Sequence, residues 1–480
     1  FIYGQEKTIQ LEGRDATLYQ YEAGTNGLYY YQVVMPLASE VLPGTSPEVA
    51  DEIINHPLLP LYLGLLSELG TDKLDAREMQ ALQAAHSSGV TARISQRTSV
   101  TNSDEIGSYF VVATRALNRK PEAIDLVKEV MTHSVFDEHA RIKELLQQKQ
   151  AGWQSRLAGA GHAYAMQTAS RGMSRQAHLE YVRGGLPALN ALTAFLAHTK
   201  EDGTQWDNLA SGLMALHQRI VSLPKHAVII CEAEQTERLT DLITQSWQAV
   251  AEPIDNKTAD SVSTLASVPA EFADLQLQAA ATTAPTDHED IAWLVATNVY
   301  HNAAVYPATP ADHPDTAPLM VLAPYLRNGY LHSAIREKGG AYGGGAGYDA
   351  NSCAFKFFSY RDPHCAETFA HFQQSVEWLL NEPQTDAQLE EAILGIISAM
   401  DKPGSPAGEA VKSCFADLHG RGEAWQQQMR ANILAVTLED MQRVAKQYLQ
   451  EQPHVRAVLA PFDKEEAVKA LGFTVQRVKG

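Results

Sequence analysis

The chain has 480 residues, 45 % of them hydrophobic, enough to bury the cores of roughly two to four domains. Its 38 basic against 57 acidic residues leave a formal charge of −19, which repels phosphate backbones and argues against a nucleic-acid partner. The four cysteines, Cys231, Cys353, Cys365 and Cys414, form no CxxC pair and read as reduced, buried thiols. No apolar run reaches the roughly 18 to 20 residues of a membrane helix, so a soluble protein with no membrane partner is expected. The cytoplasm fits this composition, with mitochondrial matrix or periplasm as alternatives because the chain opens on Phe1 rather than Met.

In chain order, the run LYYYQVVMPL from Leu28 to Leu37 is aromatic and β-branched between Asn26-Gly27 and Pro43-Gly44, which predicts a buried strand. Leucines at helical spacing from Leu58 to Leu69, and the run Asp75 to Ala85 behind an Asp cap, predict two helices. Strands over Val90 to Ser95 and Tyr109 to Leu117 precede an amphipathic helix from Pro121 to His133 and a helix-rich stretch to about Leu223. The strand Ala227 to Cys231 then leads into a helix from Thr236 to Val250. From Ala251 to Val268 the chain is polar and aperiodic. A boundary there divides the chain into a unit over 1–255, a linker over 256–268 and a unit over 269–480. Beyond it, strands are expected around Leu275 to Ala281 and Ile291 to Val299, then a helix from about Thr316 to Ile335.

The halves repeat each other. SYFVVATRA (Ser108 to Ala116) gives way to the helix PEAIDLVKEVM, and CAFKFFSYRDP (Cys353 to Pro363) to the helix CAETFAHFQQSVEWLL. Arg115 and Arg361 mark the same place in each, 246 residues apart. Upstream, GVTARIS (Gly89 to Ser95) corresponds to GAYGGGAGY (Gly340 to Tyr348), and near each end a strand is followed by an acidic-capped helix. This order predicts an α+β fold of two homologous units, each a mostly antiparallel sheet with helices packed on one face.

A catalytic zinc held on a helix needs two His one turn apart with a Glu beside them, and none of the 17 histidines forms HxxxH, HExxH or HxxEH. His133 and His139 stand far around a helix from each other, and His364 and His371 share a face but lack a third ligand nearby. No metal ligand is therefore assigned. No GxSxG elbow is present, and Lys338 precedes the glycine run Gly339 to Gly347 instead of ending it, unlike a phosphate-binding Walker loop. The positive signal lies at that run. A helix, RNGYLHSAIREKGG, ends at Gly339-Gly340, and Tyr342 follows Arg336 by six positions. Arg336 offers a fork of donors and Tyr342 a phenolic donor, both suited to a carbonyl oxygen becoming an oxyanion beside a glycine-lined strand that a peptide can approach. By spacing alone, a Schellman-type helix end with Arg336 paired to an acid and Tyr342 packed is an equal reading.

REKGGAYGGGAGYD (Arg336 to Asp349), followed by FSYRDP (Phe358 to Pro363), resembles the C-terminal half of the presequence proteases, a branch of the insulinase (pitrilysin) superfamily of zinc metallopeptidases. The likeness runs weakly from LYYYQVVMPL through GLLSELGTDKLDAREM and strongly from Pro318 to Leu380. It implies four homologous α+β units, two per half, closing like a clamshell around a peptide chamber, with an HxxEH zinc site in the first. Arg336 and Tyr342 match the family's catalytic arginine and tyrosine, which reach across the chamber to the scissile carbonyl. Gly339, Gly340 and Ala341, with Gly343, match the substrate-binding turn. The HxxEH half has no counterpart in these residues. The resemblance thus implies zinc in an N-terminal half or separate subunit that pairs with this chain, peptides as substrates, and a chain inactive alone. The alternative is a non-catalytic scaffold or regulatory subunit beside a zinc-bearing partner.

Overall fold

The computed structural model describes residues 2–43, 45–199, 203–248, 268–280 and 289–479. Its strands form two six-stranded sheets. The first contains β1 (Gln5–Leu11), β2 (Arg14–Glu22), β3 (Leu28–Ala38), β4 (Val90–Thr98), β5 (Ile106–Leu117) and β6 (His226–Cys231), in the order β1-β2-β6-β3-β5-β4. The second contains β7 (Ile291–Val295), β8 (Tyr300–Pro307), β9 (Gly343–Asp349), β10 (Ala354–Asp362), β11 (Val455–Pro461) and β12 (Thr474–Arg477), in the order β12-β7-β11-β8-β10-β9.

Putting β7 to β11 in place of β2 to β6 makes the two orders coincide. The pairing senses coincide too: β2 with β6 and β7 with β11 are parallel, and the remaining three pairs of each set are antiparallel. Val90 opposes Thr114 where Gly343 opposes Tyr360, so β5 and β10 keep the offset that separates Arg115 from Arg361. The sixth strand differs, β1 entering antiparallel ahead of the first set and β12 parallel behind the second.

Both faces of each sheet are buried, which is why β3 reads as a continuous apolar run. Tyr29, Tyr31, Val33 and Met35 enter the main core, whereas Val34 points to the opposite face. The first sheet's own helices, including Pro47–Ile54, Leu59–Leu65 and Glu122–His133, cover the first of these faces. The other face is covered by a helix from the second half, Pro406–Leu418, whose Ala407, Ala410 and Cys414 pack on Val34, Tyr109 and Val228. The second sheet mirrors this. Helices Thr316–Leu326, Ala366–Asn381 and Leu438–Tyr448 pack over Tyr306, Phe355 and Phe357, while the long first-half helix His139–Ser170 and the turn after it bring Ala169 and Met173 onto Val305, Ala354 and Ala457.

Several local expectations change. Leu275 to Ala280, expected as a strand, belongs to the helix Ala270–Ala280. Phe272, Leu275 and Ala279 fall at helical spacing and are buried in the first half's core. The strand expected to reach Val299 stops at Val295, and a new strand begins at Tyr300. β1, β2 and β12, short or half-exposed, carry no apolar run to announce them. The Asp75 cap is present as a capping box with Glu78 on the helix Ala76–His86. The linker over 256–268 lies, apart from Val268, outside the described residues.

Candidate active site

Pro324 removes one intrahelical bond near the end of the helix Thr316–Leu326, and the chain continues in a wider π winding over Arg327–Lys338. Gly329 lets this segment press on Trp378, whose ring a Cβ would strike. At the end of the π segment the Gly340 N–H reaches the Arg336 carbonyl and the Ala341 N–H the Ile335 carbonyl, both at 3.1 Å. That pair is one residue wider than a Schellman end, as the winding requires, and Gly340 takes the left-handed φ of +77° that closes it. The Tyr342 N–H then donates to the Arg361 carbonyl at 3.2 Å, and the chain enters β9.

This turn presents Tyr342 to solvent, 59 % exposed. Its ring centroid lies 5.6 Å from that of Tyr360 and within reach of two guanidinium carbons, Arg336 at 5.9 Å and Arg361 at 5.4 Å. Neither arginine forms an ion pair among the described residues, and Glu337 beside Arg336 faces His332 at 3.6 Å. Arg336 is thus not tied to an acid and Tyr342 is not packed away. Ala341 is buried, with its N–H spent on Ile335, and Gly343 lies under the Tyr360 ring. Gly339, Gly340, Ala341, Tyr342 and Gly343 therefore form one continuous turn with Arg336 at its start. β9 is the edge of its sheet among the described residues, with no strand beyond it.

Arg361 carries a further signature. It has φ of +49°, unusual for a residue with a side chain, at the register shift of β10 between Ser359 and Asp362. The Asp362 carboxylate, 1 % exposed, fixes this shift by accepting from the Thr368 hydroxyl at 2.7 Å, the His364 N–H at 2.9 Å and the Asn302 amide at 3.3 Å. In the sequence Arg361 stands out as a marker of the repeat and as part of FSYRDP, but not as a neighbour of Tyr342. Against Tyr360, the His162 ring of the helix His139–Ser170 lies tilted at 4.5 Å between centroids, and that helix is interrupted at Ala160. Gly161, next along, admits the ring of His301, a fully buried imidazole with neither nitrogen partnered. Burial, with His162 and Arg361 nearby, pushes His301 down to about 4, and burial also lowers His162. No spacing in the sequence links His162 to this site, because the contact joins the two halves.

The first sheet has a related but shifted turn. Ser88 N–H donates to the Arg115 carbonyl at 3.0 Å, from one residue further ahead of its strand than Tyr342 stands ahead of β9, and Ser88-Gly89 occupies the place before Val90. Among the described residues no group of three or more His, Cys, Asp or Glu is placed to hold a metal ion. His133 faces Glu129, His139 faces Asp207, and exposed His371 bonds Gln374. These residues do not fit a catalytic zinc. All four cysteines are free and buried, and burial pushes Cys353, Cys365 and Cys414 up to about 12, far from a reactive thiolate. No described helix is long and apolar enough to cross a membrane.

Two family models match, the associated region of subfamily C of the M16 peptidases over residues 4–195 and the "PreP C-terminal domain" over 309–459. Among curated relatives, the mitochondrial presequence protease of Emericella nidulans is 27 % identical over 463 residues, covering 95 % of this chain and 41 % of the relative. That of Eremothecium gossypii is 29 % identical over 460 residues, covering 93 % and 43 %. The chain thus spans well under half the length of these relatives. A conserved protein from Enterococcus faecalis V583 shares the fold at a TM-score of 0.61 and 13 % identity, covering 95 % of this chain and 98 % of that one. A peptidase M16 inactive domain from Pseudomonas fluorescens does so at 0.54 and 16 %, covering 96 % and 98 %. With both models in order on a doubled sheet, the chain belongs to the M16 peptidase family as a presequence-protease-like C-terminal half.

Proposed function

We propose that this chain is the half of a zinc-dependent peptidase that closes a peptide-degrading chamber and supplies Arg336 and Tyr342 to the scissile carbonyl. The observation that carries this is an exposed tyrosine in contact with two guanidinium groups that form no ion pair among the described residues, at the start of an open strand edge. An extended peptide pairing with β9 through its backbone would pass in front of that tyrosine. As the carbonyl oxygen gains charge, the Tyr342 hydroxyl and the Arg336 guanidinium donate to it, while Arg361 packs against the same ring. Gly339, Gly340, Ala341 and Gly343 contribute a turn whose shape sets where those donors stand. Zinc and the general base belong, in this proposal, to an N-terminal half or subunit outside these 480 residues. The curated relatives are named as mitochondrial, one of the three compartments the composition admits.

Reconstitution tests this. Mixed with a zinc-bearing half of the same family, the chain is expected to restore peptide cleavage that neither part shows alone, and metal analysis is expected to find no stoichiometric zinc on it. A purified chain that carries one zinc and cleaves peptides unaided contradicts the proposal, and a complex that stays inactive favours the scaffold alternative.

A further inference from the structure

β9 leads away from Tyr342 along the edge of the second sheet, and its first three residues are glycines. Gly344 faces the π segment, where a Cβ would stand 3.0 Å from Ile335. By strand alternation Gly343 and Gly345 face the other side, with Tyr360 and Phe358, their partners on β10. A Cβ at residue 343 would stand 2.6 Å from the Tyr360 Cζ and hydroxyl oxygen, and one at residue 345 would stand 3.5 Å from the Phe358 Cζ. The tips of both rings therefore lean across the glycines toward the open edge. From the first half, His162 stacks on Phe358 at 5.5 Å and lies against Tyr360 at 4.5 Å, which backs both rings. All three rings remain partly exposed.

A cation stands at the same place. The Arg327 Cδ lies 3.2 Å from the Cβ position of Gly345, although Arg327 opens the π segment on the opposite side of the sheet. Its stem reaches that point only by passing around the edge of β9. Arg327 is exposed and has no hydrogen bond, ion pair or ring beneath its guanidinium among the described residues. Side chains at residues 343 and 345 would shut the ring tips off from a strand laid along the edge, and glycine leaves them as that strand's lateral neighbours. A peptide side chain falling beside Gly345 on this face would meet the tips of Phe358 and Tyr360 together with the Arg327 side chain. Ring tips favour an apolar group, and an unpartnered guanidinium favours a π face. An aromatic side chain satisfies both, whereas an aliphatic one satisfies only the first.

Resting on the peptide-binding reading above, we infer that the edge of β9 at Gly345 is a subsite for an aromatic side chain of the extended peptide, taken by the Phe358 and Tyr360 rings and the Arg327 guanidinium. The free strand edge supplies the backbone pairing, and this subsite selects one side chain. Fluorescence anisotropy with the 480-residue chain tests this, using a labelled peptide of about ten residues, long enough to span a strand. The host sequence is uncharged and free of aromatic residues, and one central guest position carries Phe, Leu or Ser.

The Phe form is expected to bind about tenfold tighter than the Ser form, the scale of burying one apolar side chain in part. It is expected to bind about threefold tighter than the Leu form, the scale of one exposed cation–π contact. Arg327→Ala is expected to abolish the advantage of Phe over Leu, and Phe358→Leu to reduce that of Phe over Ser. Arg327 is exposed, so its variant reads the subsite even where Phe358→Leu disturbs packing. Equal binding of the Phe and Leu forms, or a preference for Phe untouched by both variants in chains whose circular dichroism is unchanged, overturns the subsite and leaves the peptide reading standing. Binding of none of the forms overturns both.

Discussion

A Cβ at residue 343 would stand 2.6 Å from the Tyr360 ring, which itself lies 5.6 Å from Tyr342. Glycine there lets Tyr360 take the place from which it supports the catalytic candidate. Gly343→Ala is therefore expected to lower stability by about 1 to 3 kcal/mol through overpacking and to lower peptide cleavage with it. Gly347→Ala, with nothing within 4 Å of its Cβ, is the control expected to leave the urea midpoint nearly unchanged. An equal effect of the two substitutions contradicts the packing role. The glycine run is visible in the sequence as room for a ligand. At residues 343 to 345 the room is filled by this chain's own Tyr360, Ile335 and Arg327, a distinction that needs the third dimension. The six-residue step from Arg336 to Tyr342 is likewise legible, but not that Arg336 lacks an acid partner or that Arg361 flanks the same ring.

The β10 end, more than any helix, fixes the site's backbone. Asp362 satisfies Thr368, His364 and Asn302 at once, and that network holds Arg361 in its left-handed conformation opposite Tyr342. Asp362→Ala strips partners from several buried donors and is expected to cost about 2 to 4 kcal/mol in denaturant unfolding. A loss below about 0.5 kcal/mol, the range of ordinary surface changes, contradicts a structural role for the network. Among the elements, β3, β5, β6 and β10 are readable because apolar, β-branched and aromatic residues dominate them. The helix Ala270–Ala280 reads as a strand in sequence because a short apolar stretch fits either period, and only its packing on first-half helices decides. The change to π winding after Leu326 has no sequence signal beyond Pro324.

Each half covers the exposed face of the other's sheet, and an uncharged histidine stands at both junctions. His301 of β8 packs on Gly161, and His419, just past the helix Pro406–Leu418, bonds Ser95 of β4 at 2.9 Å. Burial pushes His301 to about 4 and His419 to about 3, below the ordinary 6.5. As pH falls below about 6.5, the unfolded chain takes up protons that the folded chain refuses, so stability present above that pH is lost progressively toward pH 4. Urea midpoints are expected to fall over that window, and His301→Gln is expected to flatten the decline; an identical slope in the variant contradicts this origin. The duplication itself is legible from the Arg115 and Arg361 offset, whereas the exchange of helices between halves is not, because nothing in a helix's own pattern names the sheet it covers. The proposal that joins these scales is that one copy of the repeat retains half an active site, and its most direct test is the steady-state kinetics of Tyr342→Phe and Arg336→Ala in the reconstituted peptidase. Each is expected to lower kcat by about 10²- to 10³-fold with KM little changed, the loss typical of one oxyanion donor; unchanged kcat in both variants would contradict it.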